Sequence, residues 1–353
     1  MSDRMGDALS APGRAGALAP VHFGAQGRPA SVFVARRVFP DVVDRLREHF
    51  DVRTHEGEEP LAQPALIAAL QGCEGTFVTG TEPIDATLLD ACPQLKAVCT
   101  MAVGYNNIDV PACTARGVLA ANAPGVLTET TADFGFALMM ATARRVSEAE
   151  RFLREGRWKH WGVDMFAGAD VHGATLGVLG MGRIGQAIAR RGRLGFDMRV
   201  VYHNRSRSPE AEGTLGATWL PLDDLLRTAD HLVIVTPYTK QTHHLVGAAQ
   251  VALMKPTATL TNIARGGVVD DAALAAALAE GRIAAAGLDV YEGEPVVAPA
   301  LLALRNVVLT PHIASASLPT RRAMANLAVD NLVAALTGGR PPTPLNPEAL
   351  AGG

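Results

Sequence analysis

Lysine is scarce in this chain. Only Lys96, Lys159, Lys240 and Lys255 stand among 32 basic residues, and the rest are arginine. Against 35 acidic residues the net charge is −3, so no overall basic field points to nucleic acid or to an anionic membrane. Cys73, Cys92, Cys99 and Cys113 form no CxxC pair, zinc pattern or disulfide framework, which suits a reducing, cytoplasmic compartment. No apolar run reaches the roughly 20 residues of a membrane span. Residues 1–30 lack the apolar core of a signal peptide and read as a flexible leader rich in Ala, Gly, Pro and Arg. No group of His, Asp and Glu has ligand spacing, so no metal is expected. What the chain does have is 48% hydrophobic residues over 353 positions. That excludes wholesale disorder and favours two domains, since single cores stop growing at roughly 250–300 residues.

Strand-like and helix-like segments alternate from residue 31. Ser31–Ala35, Thr76–Thr79 and Lys96–Met101 read as strands, with helices over Val42–Phe50, capped by Asp41, and over Ile84–Ala91. Thr128–Arg145, continued to about Glu155, reads as one long helix. A second unit follows, with strands at Thr175–Leu179, Arg199–His203, Asp230–Thr236, Ala258–Ile263, Ala284–Val290 and Val307–Leu309. Helices are expected over Arg183–Arg193, around Leu274 and Leu278, and from Ser317 to Leu336, with an irregular Pro-rich tail beyond. This rhythm predicts an α/β protein with parallel sheets covered by helices on both faces.

Gly180-Met181-Gly182-Arg183-Ile184-Gly185 fits GxGxxG, between an apolar strand and a helix, with another strand within about thirty residues. In that setting Gly180 permits the tight turn, Gly182 admits a pyrophosphate to the backbone amides, and Gly185 lets the helix pack on the strand. The unit is therefore expected to be a Rossmann-like dinucleotide-binding domain. An NAD site usually ends its second strand with Asp or Glu; here His203, Asn204 and Arg205 stand there, and no carboxylate follows until Glu210. The Arg205–Arg207 stretch predicts NADP(H) over NAD(H), because Arg can hold a 2′-phosphate.

Three further strands end in chemistry. Asn262-Ile263-Ala264-Arg265-Gly266-Gly267 follows one, the carboxylates of Asp289, Glu292 and Glu294 follow another, and Thr310-Pro311-His312 a third. Arginine, carboxylate and histidine at one sheet edge suit hydride transfer to a 2-oxo acid. The arginine grips the substrate carboxylate, the histidine protonates the carbonyl oxygen, and a carboxylate favours the charged histidine. His243 and His244 read as loop residues, and Trp158 and Trp161 as loop anchors or an interface.

These motifs, with Val103-Gly104-Tyr105-Asn106-Asn107-Ile108-Asp109, Leu127-Thr128-Glu129-Thr130-Thr131-Ala132-Asp133 and Val171-His172-Gly173, resemble the D-isomer-specific 2-hydroxyacid dehydrogenases. The likeness spans about residues 31–346 and is greatest to the bacterial glyoxylate/hydroxypyruvate (2-ketoaldonate) reductase branch. It implies two Rossmann-like doubly wound parallel-sheet domains with a cleft between them. The substrate domain would comprise 31–123 plus 313–346, the dinucleotide domain 124–312, and the tail 347–353. It implies Arg265 as the substrate-orienting residue, His312 as the acid/base and Glu294, not Glu292, as its partner. Val103 and Gly104 would bind the substrate carboxylate through their backbone. Asp289 would hold the nicotinamide carboxamide, and Thr131, Arg183, Ile184, Thr236, Pro237 and Ala264 would line the cofactor. A homodimer and NADPH-dependent reduction of glyoxylate, hydroxypyruvate or 2-ketogluconate follow as expectations. The alternatives are an NAD-linked dehydrogenase running oxidatively and a non-catalytic dinucleotide-sensing regulator.

Overall fold

The computed structural model describes residues 29–350. The expected leader falls outside the described residues up to position 28, and the last three residues of the tail do so too.

Two parallel sheets organise the chain. The first contains β1 (Ser31–Val34), β2 (Asp51–Thr54), β3 (Gly75–Val78), β4 (Ala97–Thr100) and β5 (Leu119–Ala121), in the order β2-β1-β3-β4-β5. The second contains β6 (Thr175–Leu179), β7 (Arg199–His203), β8 (Thr218–Trp219), β9 (His231–Ile234), β10 (Thr259–Asn262), β11 (Ala285–Leu288) and β12 (Val307–Leu309). Its order is β12-β11-β10-β9-β6-β7-β8. β3, β4, β9, β10 and β11 are buried along their whole length, which is why they read as unbroken runs rather than alternating ones. Each sheet reverses its winding beside its first strand, between β1 and β3 and between β6 and β9. Ligands of doubly wound sheets gather at the carboxyl ends there.

The Leu318–Leu336 helix starts from Ser317, whose hydroxyl accepts from the Thr320 amide. Its Met324, Ala325, Ala328, Val329 and Leu332 share a core with Val32, Phe77 and Leu119, so both ends of the described chain build the first unit. Thr320 Oγ1 also meets Thr130 Oγ1 at 2.6 Å, at the start of the Thr128–Ala143 helix.

Three local expectations are corrected. The first helix is Pro40–Arg47 and its N-cap is Phe39, so Asp41 sits inside the first turn. Its carboxylate pairs instead with Arg322, whose guanidinium also lies over the Phe39 ring. The long helix is two helices, Thr128–Ala143 and Val146–Arg154, broken where Arg145 adopts a left-handed conformation at φ 53°. Arg145 is fixed there by a two-pronged contact to Glu148. The tail is not irregular throughout: Pro344 bridges to Ala121, and Pro347–Leu350 forms a 3-10 turn. Buried Asn346 donates to Val118 O and Thr114 Oγ1 and accepts from the Ala120 amide, tying the tail along β5.

Candidate active site

A cleft of about 1270 Å³ opens between the two sheets, lined by residues past the carboxyl ends of β1, β3, β4 and β10 and by the His312 segment. Val103, Gly104, Arg265, Glu294 and His312 all face it, as do Thr131 and Ile184.

Asn262 builds the Arg265 turn. Its side chain accepts from the Ala264 amide at 3.0 Å and donates to Arg265 O at 3.2 Å. The guanidinium, half-buried, donates to Ala264 O at 2.6 Å and rests on the backbone of residue 104, where a Cβ would lie 1.7 Å from Nη2. A Cβ at Gly266 would lie 1.7 Å from Tyr291 O, so the turn also packs directly on the segment that leads to Glu294. Burial lowers the Arg265 pKa and the Glu294 charge opposes that shift.

His312 follows β12 in a left-handed conformation, φ 54°, its amide donating to Asp289 O. Nδ1 is 2.7 Å from Glu294 Oε2, while Glu294 Oε1 accepts from the Tyr291 amide at 2.9 Å. Burial pushes the Glu294 pKa up, but the hydrogen bond and charge of His312, the Tyr291 amide and Arg265 outweigh it and hold the carboxyl below its ordinary value. An ionised carboxylate only accepts, so Nδ1 carries the proton in this pair and Nε2 is the nitrogen left for other chemistry.

Asp289 is fully buried and does not reach the cleft wall. Its carboxylate takes Thr310 Oγ1 at 2.6 Å and the Ile313 and Ala314 amides at 2.9 and 2.8 Å, pinning the loop that carries His312. Burial raises its pKa against those hydrogen bonds.

The glycine loop lies at the end of β6. Gly180 has φ 106°, and a Cβ there would lie 2.7 Å from the Thr236 amide nitrogen. A Cβ at Gly185 would lie 2.1 Å from Gly180 O, while Gly182 faces open space at the start of the Arg183–Phe196 helix. Pro237 follows Thr236 past β9, and Ala264 is buried past β10. Asn204 accepts from the Met181 amide at 2.7 Å, tying the end of β7 to this loop, and His203 contacts Leu220 O. Arg207 is engaged by both oxygens of Glu212, at 2.9 and 2.7 Å, whereas Arg205 is exposed with no such partner among the described residues. A loop that leaves no room for a Cβ at Gly180 or Gly185, open at Gly182 and with a helix N-terminus beside it, fits the pyrophosphate of a dinucleotide. Thr131 belongs to the cleft wall, and its Oγ1 is buried there with no hydrogen-bond partner among the described residues.

Sequence reasoning passed over the residues that shape these loops. Buried Asn122 donates to Val103 O at 2.7 Å. Fully buried Glu82 accepts from the Thr79 amide and pairs with Arg36, fixing the Thr79–Thr81 rim. Only the position of Thr79-Gly80-Thr81-Glu82 after a strand could have flagged it. The ligand atoms of His243, His244 and Glu292 lie within 4.8 Å of one another, and His244 Nε2 is 3.1 Å from each Glu292 oxygen.

The model of the "D-isomer specific 2-hydroxyacid dehydrogenase, NAD binding domain" matches residues 136–314. The chain belongs to the D-2-hydroxyacid dehydrogenase family. It is therefore an oxidoreductase whose cofactor is a nicotinamide dinucleotide. It is 48% identical over 323 residues to a glyoxylate reductase of Thermococcus onnurineus, covering 90% of this chain and 96% of that one. Glyoxylate/hydroxypyruvate reductase B of Yersinia pestis is 47% identical over 321 residues, covering 91% and 98%. Among solved structures, the NADPH-dependent glyoxylate/hydroxypyruvate reductase of Sinorhizobium meliloti, in complex with NADP and malonate, has a TM-score of 0.82 at 38% identity, covering 91% and 98%. The two parallel-sheet α/β units are the architecture of this family. Among the described residues no helix is long and apolar enough to cross a membrane.

Proposed function

We propose that this dehydrogenase reduces small 2-oxo acids, glyoxylate and hydroxypyruvate foremost and 2-ketogluconate with them, to D-2-hydroxy acids at the expense of NADPH. One observation carries the reading: His312, paired with Glu294, opens on the same cleft as Arg265, which lies against the Gly104 backbone.

Arg265 and the Val103–Gly104 backbone take the substrate carboxylate, leaving the 2-oxo group toward His312. His312 gives its Nε2 proton to the carbonyl oxygen as that oxygen gains charge, while Nδ1 stays bonded to Glu294. Glu294 stabilises the charged ring and fixes its orientation. The general acid contributes roughly 10²–10⁴-fold. The bound reduced nicotinamide supplies the hydride. Gly180, Gly182, Gly185 and the amides opening the Arg183–Phe196 helix hold its pyrophosphate, with Thr131, Ile184, Thr236, Pro237 and Ala264 around the remainder. Asp289 acts on this pocket through the loop it pins.

The case for NADPH is Arg205 free at the end of β7 beside Asn204, and the NADP held by the Sinorhizobium relative. The substrate domain is 31–123 with 313–346 and the dinucleotide domain 124–312. The same cleft would serve an NAD-linked oxidation, the second reading. A homodimer is favoured by the apolar residues on the arm after Val146–Arg154, where Trp161 is 74% and Val163 86% exposed. The four free, buried thiols fit a reducing cytoplasm. The test is a panel of 2-oxo acids with NADPH and NADH. Turnover of glyoxylate and hydroxypyruvate, with kcat/KM higher for NADPH, is the expected result. Binding of cofactor without turnover of any 2-oxo acid would leave a regulator.

A further inference from the structure

Nine residues beyond His312, in the first turn of the Leu318–Leu336 helix, Arg321 also lines the cleft. It is half-buried, and its guanidinium has no hydrogen-bond or ion-pair partner among the described residues. The neighbouring arginines are taken: Arg322 by Asp41 and the Phe39 ring, Arg36 by Glu82 and Thr81. Burial lowers the Arg321 pKa and only the more distant charge of Asp289 opposes it, so this cation is desolvated without a counter-ion in contact. Keeping such a charge inside a wall is costly unless something enters to pair with it.

Arg265 is the other half-buried guanidinium in the cleft with no carboxylate hydrogen-bonded to it among the described residues. A simple 2-oxo acid carries one carboxylate, enough for one of the two. We propose that Arg321 binds a second acidic group, carried on the carbon chain beyond the 2-oxo carbon, so that the enzyme also takes 2-oxo dicarboxylic acids. The inference rests on the reading of this cleft as a 2-oxo acid site. The cleft volume leaves room for the longer chain. Arg321 acts here as a specificity residue: the proton still comes from His312 and the first carboxylate still sits on Arg265. A planar guanidinium suits the task because it can meet a carboxylate with two parallel hydrogen bonds.

The test compares oxaloacetate with glyoxylate, at saturating NADPH, in the wild type and in Arg321→Gln, Arg321→Lys and Arg322→Gln. In R321Q the ratio of kcat/KM for oxaloacetate to that for glyoxylate should fall about tenfold or more, chiefly through KM. R321K should recover part of the ratio, and R322Q should leave it at the wild-type value. A loss equal on both substrates, or an unchanged ratio in R321Q, overturns the proposal. A second readout needs no variant: succinate should inhibit glyoxylate reduction about tenfold more tightly than butyrate, and equal inhibition overturns the proposal as well. Glyoxylate turnover without any oxaloacetate reduction defeats this inference alone. A wild-type enzyme reducing no 2-oxo acid with either cofactor defeats the underlying reading too.

Discussion

The Arg265 guanidinium occupies the space that a side chain at residue 104 would need, since a Cβ on Gly104 would lie 1.7 Å from Nη2. The two residues come from different sheets and are 161 positions apart in sequence. Their contact makes the substrate grip a property of the assembled cleft rather than of either loop. Asn122 holds the Val103 end of it and Asn262 the Arg265 end.

Gly104→Ala follows directly. The clashing atom is the far end of a flexible side chain, so the fold can absorb the methyl group by moving Arg265. We expect kcat/KM for glyoxylate to fall about 10²-fold, the scale of a 1 Å misplacement, with Tm and NADPH affinity little changed. Steady-state kinetics beside a thermal melt checks this; a large loss of Tm with normal kcat/KM would contradict it.

Glu294→Gln should alter the pH dependence of stability. The Glu294 pKa is held below its ordinary 4.5, so its ionisation favours the folded state. That contribution is present above the ordinary value and is lost as pH falls through the lowered one. Denaturant unfolding from roughly pH 6 to pH 3 should therefore show a shallower decline for E294Q than for the wild type. Parallel curves would show that the His312 pairing does not stabilise the carboxylate.

Arg205→Ala and Arg207→Ala should separate. Arg207 is already held by Glu212, and Arg205 is not. Replacing Arg205 should lower kcat/KM for NADPH about tenfold and leave NADH nearly untouched, as expected for a lost charge-assisted phosphate contact. Replacing Arg207 should shift the preference much less. Equal effects of the two substitutions would place the 2′-phosphate elsewhere.

What the sequence made legible was whatever local pattern determines. The buried strands stood out as apolar runs, and Arg265, Glu294 and His312 each follow such a strand at the edge where ligands gather. The missing pieces depend on partners far along the chain. β2 is half exposed and carries no apolar run. Asp41 has the chemistry of a helix cap, but Arg322 claims it across 281 positions. Arg145 reads as an ordinary helical residue until Glu148 and its left-handed backbone end the helix there. The three donors from the following loop that enclose Asp289 likewise leave no trace in the local pattern. Arg321 has no motif at all; only the fold shows that it opens on the cleft with no partner among the described residues.

The central claim is that His312 protonates the substrate. The direct measurement is single-turnover and steady-state oxidation of NADPH with glyoxylate in the wild type and in His312→Gln, with NADPH affinity followed by fluorescence. The account predicts a loss in kcat of about 10²–10⁴-fold with NADPH affinity preserved. An H312Q enzyme with undiminished kcat would contradict it.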